Sequence, residues 1–318
     1  MPQGESDNRF NDNVRIRPDW AALTAEFDAL PKQVLRRDEG DLYHQGWIFR
    51  GHKRESYGLK PSIERAHPYC EWAEAEYRVL SEFRSKARMH LDPAQIPAMD
   101  DKLGWLAVMQ HYGAPTRLLD FTYSPYVALY FALRNRDKKE SDHVEVWGID
   151  AAALRERAGI RSKEADKKSR EQRGEPHKGG KVSFSLEDMT SSLQNAQEDD
   201  DSWGKLIREA LDPGGIRREH FNRNGFVAVA LPPLQNSRLS SQQGIFLFNG
   251  AQDLPFESSL DFMMQDVEEE WYKRFRIPEN ALEKLEEQLF RFNIHDLSLF
   301  PDVEGLAGFV RQKIRLHW

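Results

Sequence analysis

The segment Gln110–Pro125 constrains the fold of this chain more than any other part of the sequence. It places polar, aromatic and conformationally special residues between two apolar stretches that have helical spacing. Residues 103–112 predict one helix. Ser124 followed by Pro125 predicts the start of the next, because serine caps helix N-termini and proline fits the first turn. A structural turn rarely needs so many polar side chains, so the segment is typical of a pocket that binds a polar ligand.

A second compact signal is a short apolar strand at residues 47–49, which ends in Arg50 and Gly51. A glycine at this point allows a ligand or another backbone to approach closely. The Arg50 guanidinium either binds a phosphate or carboxylate at two points or pairs with a structural acid.

Helices and strands follow one another without a regular βαβ rhythm, which predicts an α+β fold with a mixed sheet flanked by helices. The predicted helices are residues 20–35, 72–89, 103–112, 126–135, 278–292 and 305–314, and the predicted strands are residues 47–49, 143–149, 226–230, 244–248 and 271–277.

We expect a disordered terminus (1–15), an N-terminal helix (16–40) and one domain (41–318). Because residues 155–202 are charged and poor in large apolar groups, we predict an insertion or mobile lobe there, with a possible role in binding a protein partner.

The composition of the chain argues against several classes of ligand and location. The chain has 318 residues and a formal net charge of −7, so its overall field does not attract nucleic acid. No apolar run is long enough to cross a membrane, and the first residues do not resemble a signal peptide, which predicts a cytoplasmic protein that binds no membrane. One cysteine, Cys70, excludes an internal disulfide and a thiolate metal cluster, so we expect no metal.

Within the polar segment, each candidate has two interpretations. His111 donates a hydrogen bond to a ligand or acts as an acid or base, or it is a buried histidine bonded to backbone. Thr116 is a further candidate ligand contact. Arg117 and Asp120 contact a ligand or pair with each other, which would make the segment rigid.

The following residues extend the candidate site. Thr122 binds a ribose hydroxyl or a phosphate, or serves the turn, whereas Ser124 is better explained as a helix cap. Tyr123 and Tyr126 stack on a planar ring or pack in the core. Gln242 and Gln243, which precede the predicted strand 244–248, line a pocket rim or form an ordinary polar turn.

Common catalytic templates are absent from the sequence, including the phosphate-binding GxxxxGK loop, GxGxxG, HExxH and GxSxG. A nuclease is a weaker alternative, since His111 and the basic stretch 155–181 favour it but the clustered carboxylates of a metal-dependent nuclease are missing.

Several blocks of the sequence resemble the FRG domain family. Phe49-Arg50-Gly51 matches the motif that names the family, residues 106–122 resemble its second block, residues 241–246 its third, and residues 299–307 are also similar. The resemblance extends over about residues 40–312 and leaves out residues 155–202. It implies an association with bacterial defence against phage.

The order of these motifs also resembles that of ADP-ribosyltransferases, more loosely. Arg50 matches the first-strand arginine that holds the dinucleotide, residues 120–122 fill the place of a Ser-Thr-Ser motif, and residues 127–132 match the helix that follows it. Gln242 and Gln243 fall near the place of the catalytic Glu-x-Glu motif. This resemblance implies an ADP-ribosyltransferase-like fold with a split antiparallel sheet, and NAD as substrate or ligand.

The resulting hypothesis is an NAD-binding, ADP-ribosyltransferase-like effector. In it, Arg50 anchors phosphate, His111 and Thr122 contact ribose or amide, a tyrosine stacks on a ring, and Gln243 lies at the reacting carbon. A catalytic glutamate stabilises the positive charge that develops on ribose, and neutral glutamine does so much less. The alternative is therefore a non-catalytic module that senses a nucleotide or binds a protein. The full set of candidate residues is His111 and Gln243 as catalytic, with Arg50, Gly51, Thr116, Arg117, Asp120, Thr122, Tyr123, Tyr126 and Gln242 as ligand-binding.

Overall fold

A computed structural model describes residues 10, 13–37, 40–67, 71–136, 143–161, 207, 211, 225–230, 237–267 and 270–317. Cys70 and most of the predicted lobe, residues 162–202, lie outside the described residues. The described start of that lobe, residues 155–161, belongs to a helix that covers residues 151–161. No helix among the described residues is long and apolar enough to cross a membrane.

The centre of the fold is a seven-stranded mixed sheet in the order β1-β9-β6-β4-β5-β8-β7. β1 runs parallel to β9, and every other neighbouring pair is antiparallel. β2 and β3 form a separate antiparallel hairpin. The strands are β1 (Val14–Ile16), β2 (Lys32–Arg37), β3 (Gly40–Gln45), β4 (Trp47–His52), β5 (Leu118–Thr122), β6 (Val144–Asp150), β7 (Val227–Ala230), β8 (Gly244–Asn249) and β9 (Tyr272–Ile277).

Helices cover both faces of this sheet. One apolar core includes side chains of α3, α4 and α7, and the other includes α1, α5 and α8. The helices are α1 (Trp20–Asp28), α2 (Ser62–Ala66), α3 (Trp72–Ala87), α4 (Lys102–His111), α5 (Pro125–Leu133), α6 (Ser237–Ser241), α7 (Phe256–Met264), α8 (Leu282–Arg291), α9 (Asp296–Leu299) and α10 (Val303–Arg315). The predicted α+β class with a mixed sheet and flanking helices is confirmed.

Some predicted elements differ from the structure. The helix expected at 20–35 ends at Asp28, and residues 32–37 form β2 instead. Val14 and Arg15, expected to be disordered, belong to β1, where Val14 registers with Arg274. The polar segment also contains a strand, β5, that the sequence did not indicate. These strands are stabilised by partners far away in the chain, which local periodicity does not encode.

The sheet opens between β4 and β5. The two strands share one registered pair, Phe49 with Thr122, whereas β4 registers with β6 along its whole length from Trp47 to His52. Beyond that pair the Arg50 side chain spans the gap, and its Nη1 donates a hydrogen bond of 2.6 Å to the Asp120 carbonyl oxygen. The strands therefore diverge where the two sequence motifs meet.

Helix α5 packs against the back of this opening. It begins as predicted, with the Ser124 Oγ accepting a hydrogen bond from the Val127 amide at 3.3 Å. A Cβ atom added at Gly51 would lie 1.9 Å from the carbonyl oxygen of Ala128. Gly51 therefore allows the backbone of α5 to approach β4 closely.

Gly51→Ala is expected to destabilise the fold, because the clash is with helix backbone that cannot rotate away. We expect a loss of about 2–3 kcal/mol in the free energy of unfolding, measured by urea denaturation. The control is Gly148→Ala in the adjacent strand β6, where the added Cβ would meet the Phe49 side chain at 3.2 Å. That variant should lose at most about 1 kcal/mol, and equal stability of the two variants would contradict the packing argument.

Candidate functional site

A cavity of about 1160 Å³ lies at the opening between β4 and β5. Its wall includes the end of β4, residues 120–122 of β5, one side of α4 and the residues around α6. Of the residues singled out from the sequence, the following line it: Arg50, Gly51, His111, Asp120, Thr122 and Gln242. Three remote parts of the chain therefore meet in one cavity. Thr116, Arg117, Tyr123, Tyr126 and Gln243 are not part of its lining.

Arg50 lies at the opening between β4 and β5. Its Nε donates to the His52 Nε2 at 3.1 Å and its Nη1 to the Asp120 carbonyl, and both of these acceptors are neutral groups. Burial lowers the pKa of Arg50, and nearby Arg65 lowers it further while Asp120 raises it. A guanidinium remains charged in any protein. Arg50 thus presents a half-buried positive charge to the cavity without a salt bridge among the described residues.

Two histidines lie in the cavity wall. Burial, followed by the charge of Arg50, lowers the pKa of His52 to about 3, so His52 is neutral and accepts the Arg50 hydrogen bond. Burial also lowers the pKa of His111, and Arg238 adds to this while Asp302 opposes it. At neutral pH His111 is therefore a neutral imidazole at the end of α4, suited to accept a proton or a hydrogen bond.

Gln110 organises the polar segment. Its Oε1 accepts a hydrogen bond from the Thr116 Oγ1 at 2.6 Å, and its Nε2 donates to the Asp120 Oδ2 at 2.8 Å. Thr116 is fully buried, so its hydroxyl supports the segment from inside. Asp120 is exposed and lines the cavity, held by Gln110 rather than by Arg117. The pairing of Arg117 with Asp120 that the sequence allowed does not occur.

The end of β5 is joined to the start of β8. The Thr122 Oγ1 donates to the Gln242 carbonyl at 2.8 Å and accepts from the Ser124 amide at 3.0 Å. The Gln242 side chain donates to the Leu299 carbonyl at 3.0 Å. Gln243 is exposed, with a positive φ of 48°, and its side chain does not line the cavity.

Arg117 lies in a buried polar cluster instead of the cavity. Its Nε donates to the Glu76 Oε2 at 2.6 Å, and Arg117 and Glu76 are 4% and 1% exposed. Lys102 also reaches Glu76, at 3.2 Å. Burial alone would raise the pKa of Glu76, but Arg117 and Lys102 lower it below its ordinary value. Arg117 therefore joins the start of β5 to α3 through Glu76, which also binds Lys102 of α4.

Neither tyrosine of the predicted site faces the cavity. Tyr126 stacks on Trp20 with ring centroids 5.5 Å apart and meets the edge of Phe27, which attaches α1 to α5. Tyr123 packs against the apolar core of the other face. The exposed aromatic ring in the cavity lining is Tyr57, which the sequence did not single out.

The cavity contains basic residues that sequence reasoning missed. Its basic lining residues are Arg50, Lys53, Lys60, Arg65 and Arg238, against one acidic residue, Asp120. None of these five forms a salt bridge with a described residue, whereas buried arginines elsewhere do, such as Arg274 with Glu145 at 2.8 Å. The signal available in the sequence was the density of basic residues directly after the Phe49-Arg50-Gly51 motif. A net acidic protein thus has a locally positive cavity.

One carboxyl group behind the basic residues is shifted towards neutrality. Burial and, less strongly, Glu257 raise the pKa of Glu64 to about 7, against the opposing effects of the Phe256 amide, Lys60 and Arg65. The Glu64 Oε1 accepts a hydrogen bond from that amide at 2.8 Å. Glu64 is therefore only partly ionised at neutral pH.

Comparison with known families places residues 45–141 in the FRG domain family. This range, under a third of the chain, includes Arg50, His111, Asp120 and Thr122. The chain therefore contains an FRG domain there, and the similar blocks at 241–246 and 299–307 lie beyond the matched range. Comparison with curated proteins and with solved structures gave no significant match. Among the described residues, no group of three or more His, Cys, Asp or Glu is arranged to hold a metal ion.

Arg117→Met is expected to lower the free energy of unfolding by about 3 kcal/mol, because it leaves the buried Glu76 carboxylate with Lys102 as its remaining charged partner. Glu76→Met combined with Arg117→Met should recover most of that loss, since both buried charges are then removed. Urea denaturation measures both. If Arg117→Met kept the free energy of unfolding of the unaltered protein but no longer bound a nucleotide, Arg117 would instead be a ligand contact.

Glu64→Gln tests the shifted carboxyl group. The folded protein holds the Glu64 proton more tightly than the unfolded chain, so its stability falls as pH rises from about 4.5 through about 7. Glutamine cannot ionise and still accepts the Phe256 hydrogen bond. The variant should match the unaltered protein at pH 4.5 and be more stable by about 2 kcal/mol at pH 8. Glu283→Gln on the exposed face of α8 serves as the control, and a constant difference at all pH values would contradict the shift.

Proposed function

We propose, from the FRG domain that the chain contains, that the cavity between β4 and β5 binds a nucleotide, with NAD as the leading ligand. One observation carries the proposal: five basic side chains line a single cavity without salt bridges among the described residues, in a protein of net charge −7. Unpaired cations are ordinary on an open surface, but their concentration in one concave site favours an anionic ligand.

Arg50 is the proposed phosphate anchor. Its Nε and Nη1 already bond to His52 and Asp120, which fixes the plane of the guanidinium before a ligand arrives. A fixed guanidinium loses less conformational freedom on binding and suits a two-point contact with phosphate. His111, which also lines the cavity, is the proposed contact for ribose or amide, and the exposed ring of Tyr57 is the proposed stacking surface for a base.

We further propose that the open sheet is of the ADP-ribosyltransferase type, with Arg50 in the position of the dinucleotide-binding arginine. Support comes from the motif order and from the divergence of β4 and β5 at Phe49 and Thr122. Defence of a bacterium against phage, acting inside the cell, is the setting that the FRG domain resemblance suggests.

Binding without transfer is the form of this function that the geometry favours. Gln243, the expected counterpart of a catalytic glutamate, is exposed and outside the cavity lining. Transfer or hydrolysis at the glycosidic bond is a second candidate, favoured by the Asp120 carboxylate in the lining. A carboxylate there would stabilise the positive charge that develops on ribose as nicotinamide leaves.

Arg50→Gln should weaken NAD binding at least about tenfold, because the charged two-point contact with phosphate is lost. Arg50→Lys, which keeps the charge without the fork, should give an intermediate affinity. Isothermal titration calorimetry measures the affinities, and thermal unfolding verifies that each variant is folded. Arg311→Gln, an exposed arginine on α10, is the matched control and should bind as the unaltered protein does.

The same samples separate the two candidates through release of nicotinamide, followed by chromatography. Binding with no release above background supports the binding module. Release that disappears in Asp120→Asn and in Arg50→Gln supports the enzyme. No binding of NAD or of any other adenine nucleotide would overturn the proposed function.

A further inference from the structure

One side of the cavity gathers more positive charge than a dinucleotide phosphate bridge requires. Lys60 and Arg65 lie on the segment that leads from β4 into α2, and both are exposed lining residues. The Arg65 Nη1 donates a hydrogen bond to the Lys60 carbonyl oxygen, which ties the two residues together. Arg65 is also near enough to Arg50 for its charge to act on that guanidinium.

The neighbouring acids are directed to backbone amides rather than to these cations. The Glu64 Oε1 accepts from the Phe256 amide, and the Glu257 Oε1 accepts from the Leu59 amide, each at 2.8 Å. Neither carboxylate forms a salt bridge with Lys60 or Arg65 within the described residues. These two hydrogen bonds fix the segment at both ends, so the basic pair is held at the cavity while its charge remains available.

The number of cations in the cavity can be compared with the negative charge of each candidate nucleotide. The pyrophosphate bridge of NAD, which is esterified at both ends, carries one negative charge on each phosphorus, and Arg50 and one neighbouring cation are enough to balance these two charges. A phosphomonoester or terminal phosphate adds about −1.5 to −2 at neutral pH. With NAD alone, Lys60 and Arg65 would remain largely unmatched beside the bound ligand. A further phosphate between them would meet two cations and relieve their mutual repulsion with Arg50.

We propose, resting on the nucleotide-binding function above, that the cavity selects a nucleotide that carries a dianionic phosphate in addition to its pyrophosphate, and that Lys60 and Arg65 bind that phosphate. Such a group occurs as the 2′-phosphate of NADP and as the terminal phosphate of ATP. Arg50 binds the pyrophosphate common to both. Lys60 and Arg65 are therefore specificity-determining residues of the site.

The test is calorimetric titration of the full chain with two ligand pairs, NADP against NAD and ATP against ADP, in buffer without divalent cations. We expect at least one pair to show a preference of about tenfold or more for the ligand with the extra phosphate. The pair that shows it identifies the source of the phosphate. In Lys60→Gln combined with Arg65→Gln, the preference should fall to about one, because this variant loses more affinity for the ligand with the extra phosphate than for NAD.

A matched double variant, Lys284→Gln with Arg311→Gln, removes the same two charges from exposed positions on α8 and α10 that do not line the cavity, and should keep the preference. Binding of all four ligands with ratios near one would overturn this inference and leave the nucleotide-binding function intact. A preference that survives the cavity variant would overturn the assignment to Lys60 and Arg65. Absence of binding for all four would overturn the proposed function itself.

Discussion

The divergence of β4 from β5 is the constraint on which the site depends. After the single pair of Phe49 with Thr122, no further residues of β4 and β5 are in register, so backbone groups beyond this pair lack the ladder partners of a continuous sheet. Such groups need partners, and Arg50 supplies one by donating to the Asp120 carbonyl. The same contact holds the guanidinium at the base of the cavity. The hydrogen bond from Arg50 to Asp120 therefore links the geometry of the sheet to the position of the positive charge.

The opening is maintained from behind and from one end. Gly51 lets the α5 backbone approach β4 so closely that a side chain would not fit, which fixes the distance between this helix and the strand. The Thr122 hydroxyl joins the end of β5 to the Gln242 carbonyl. Residues of the sequence motifs thus divide into those that build the cavity and those that face it. Thr122 belongs to both groups, because it lines the cavity while its hydroxyl is engaged in structure.

Local signals in the sequence predicted the parts of the fold that local interactions determine. The Ser124 cap, the strand that begins at Trp47 and the apolar helix α5 were all found in this way, and the α+β class followed from the irregular order of helices and strands. Pairings across long stretches of chain were not predictable. Glu76 is 41 residues from Arg117, so the sequence offered the nearby Asp120 as the partner instead. The strand β1 depends on β9, near the other end of the chain, for the same reason.

The candidate site was predicted in part because its residues are of two kinds. Arg50, His111 and Asp120 occur in compact motifs, where an unusual mixture of side chains is visible in the sequence. Lys60 and Arg65 follow the Phe49-Arg50-Gly51 motif without belonging to it, and they become part of the site because the chain between β4 and the end of α2 lines the cavity. A basic side chain on a surface segment is ordinary, and its role depends on which acids surround it. Here the nearby carboxylates are bonded to backbone amides, which leaves the positive charge of the segment for an anion.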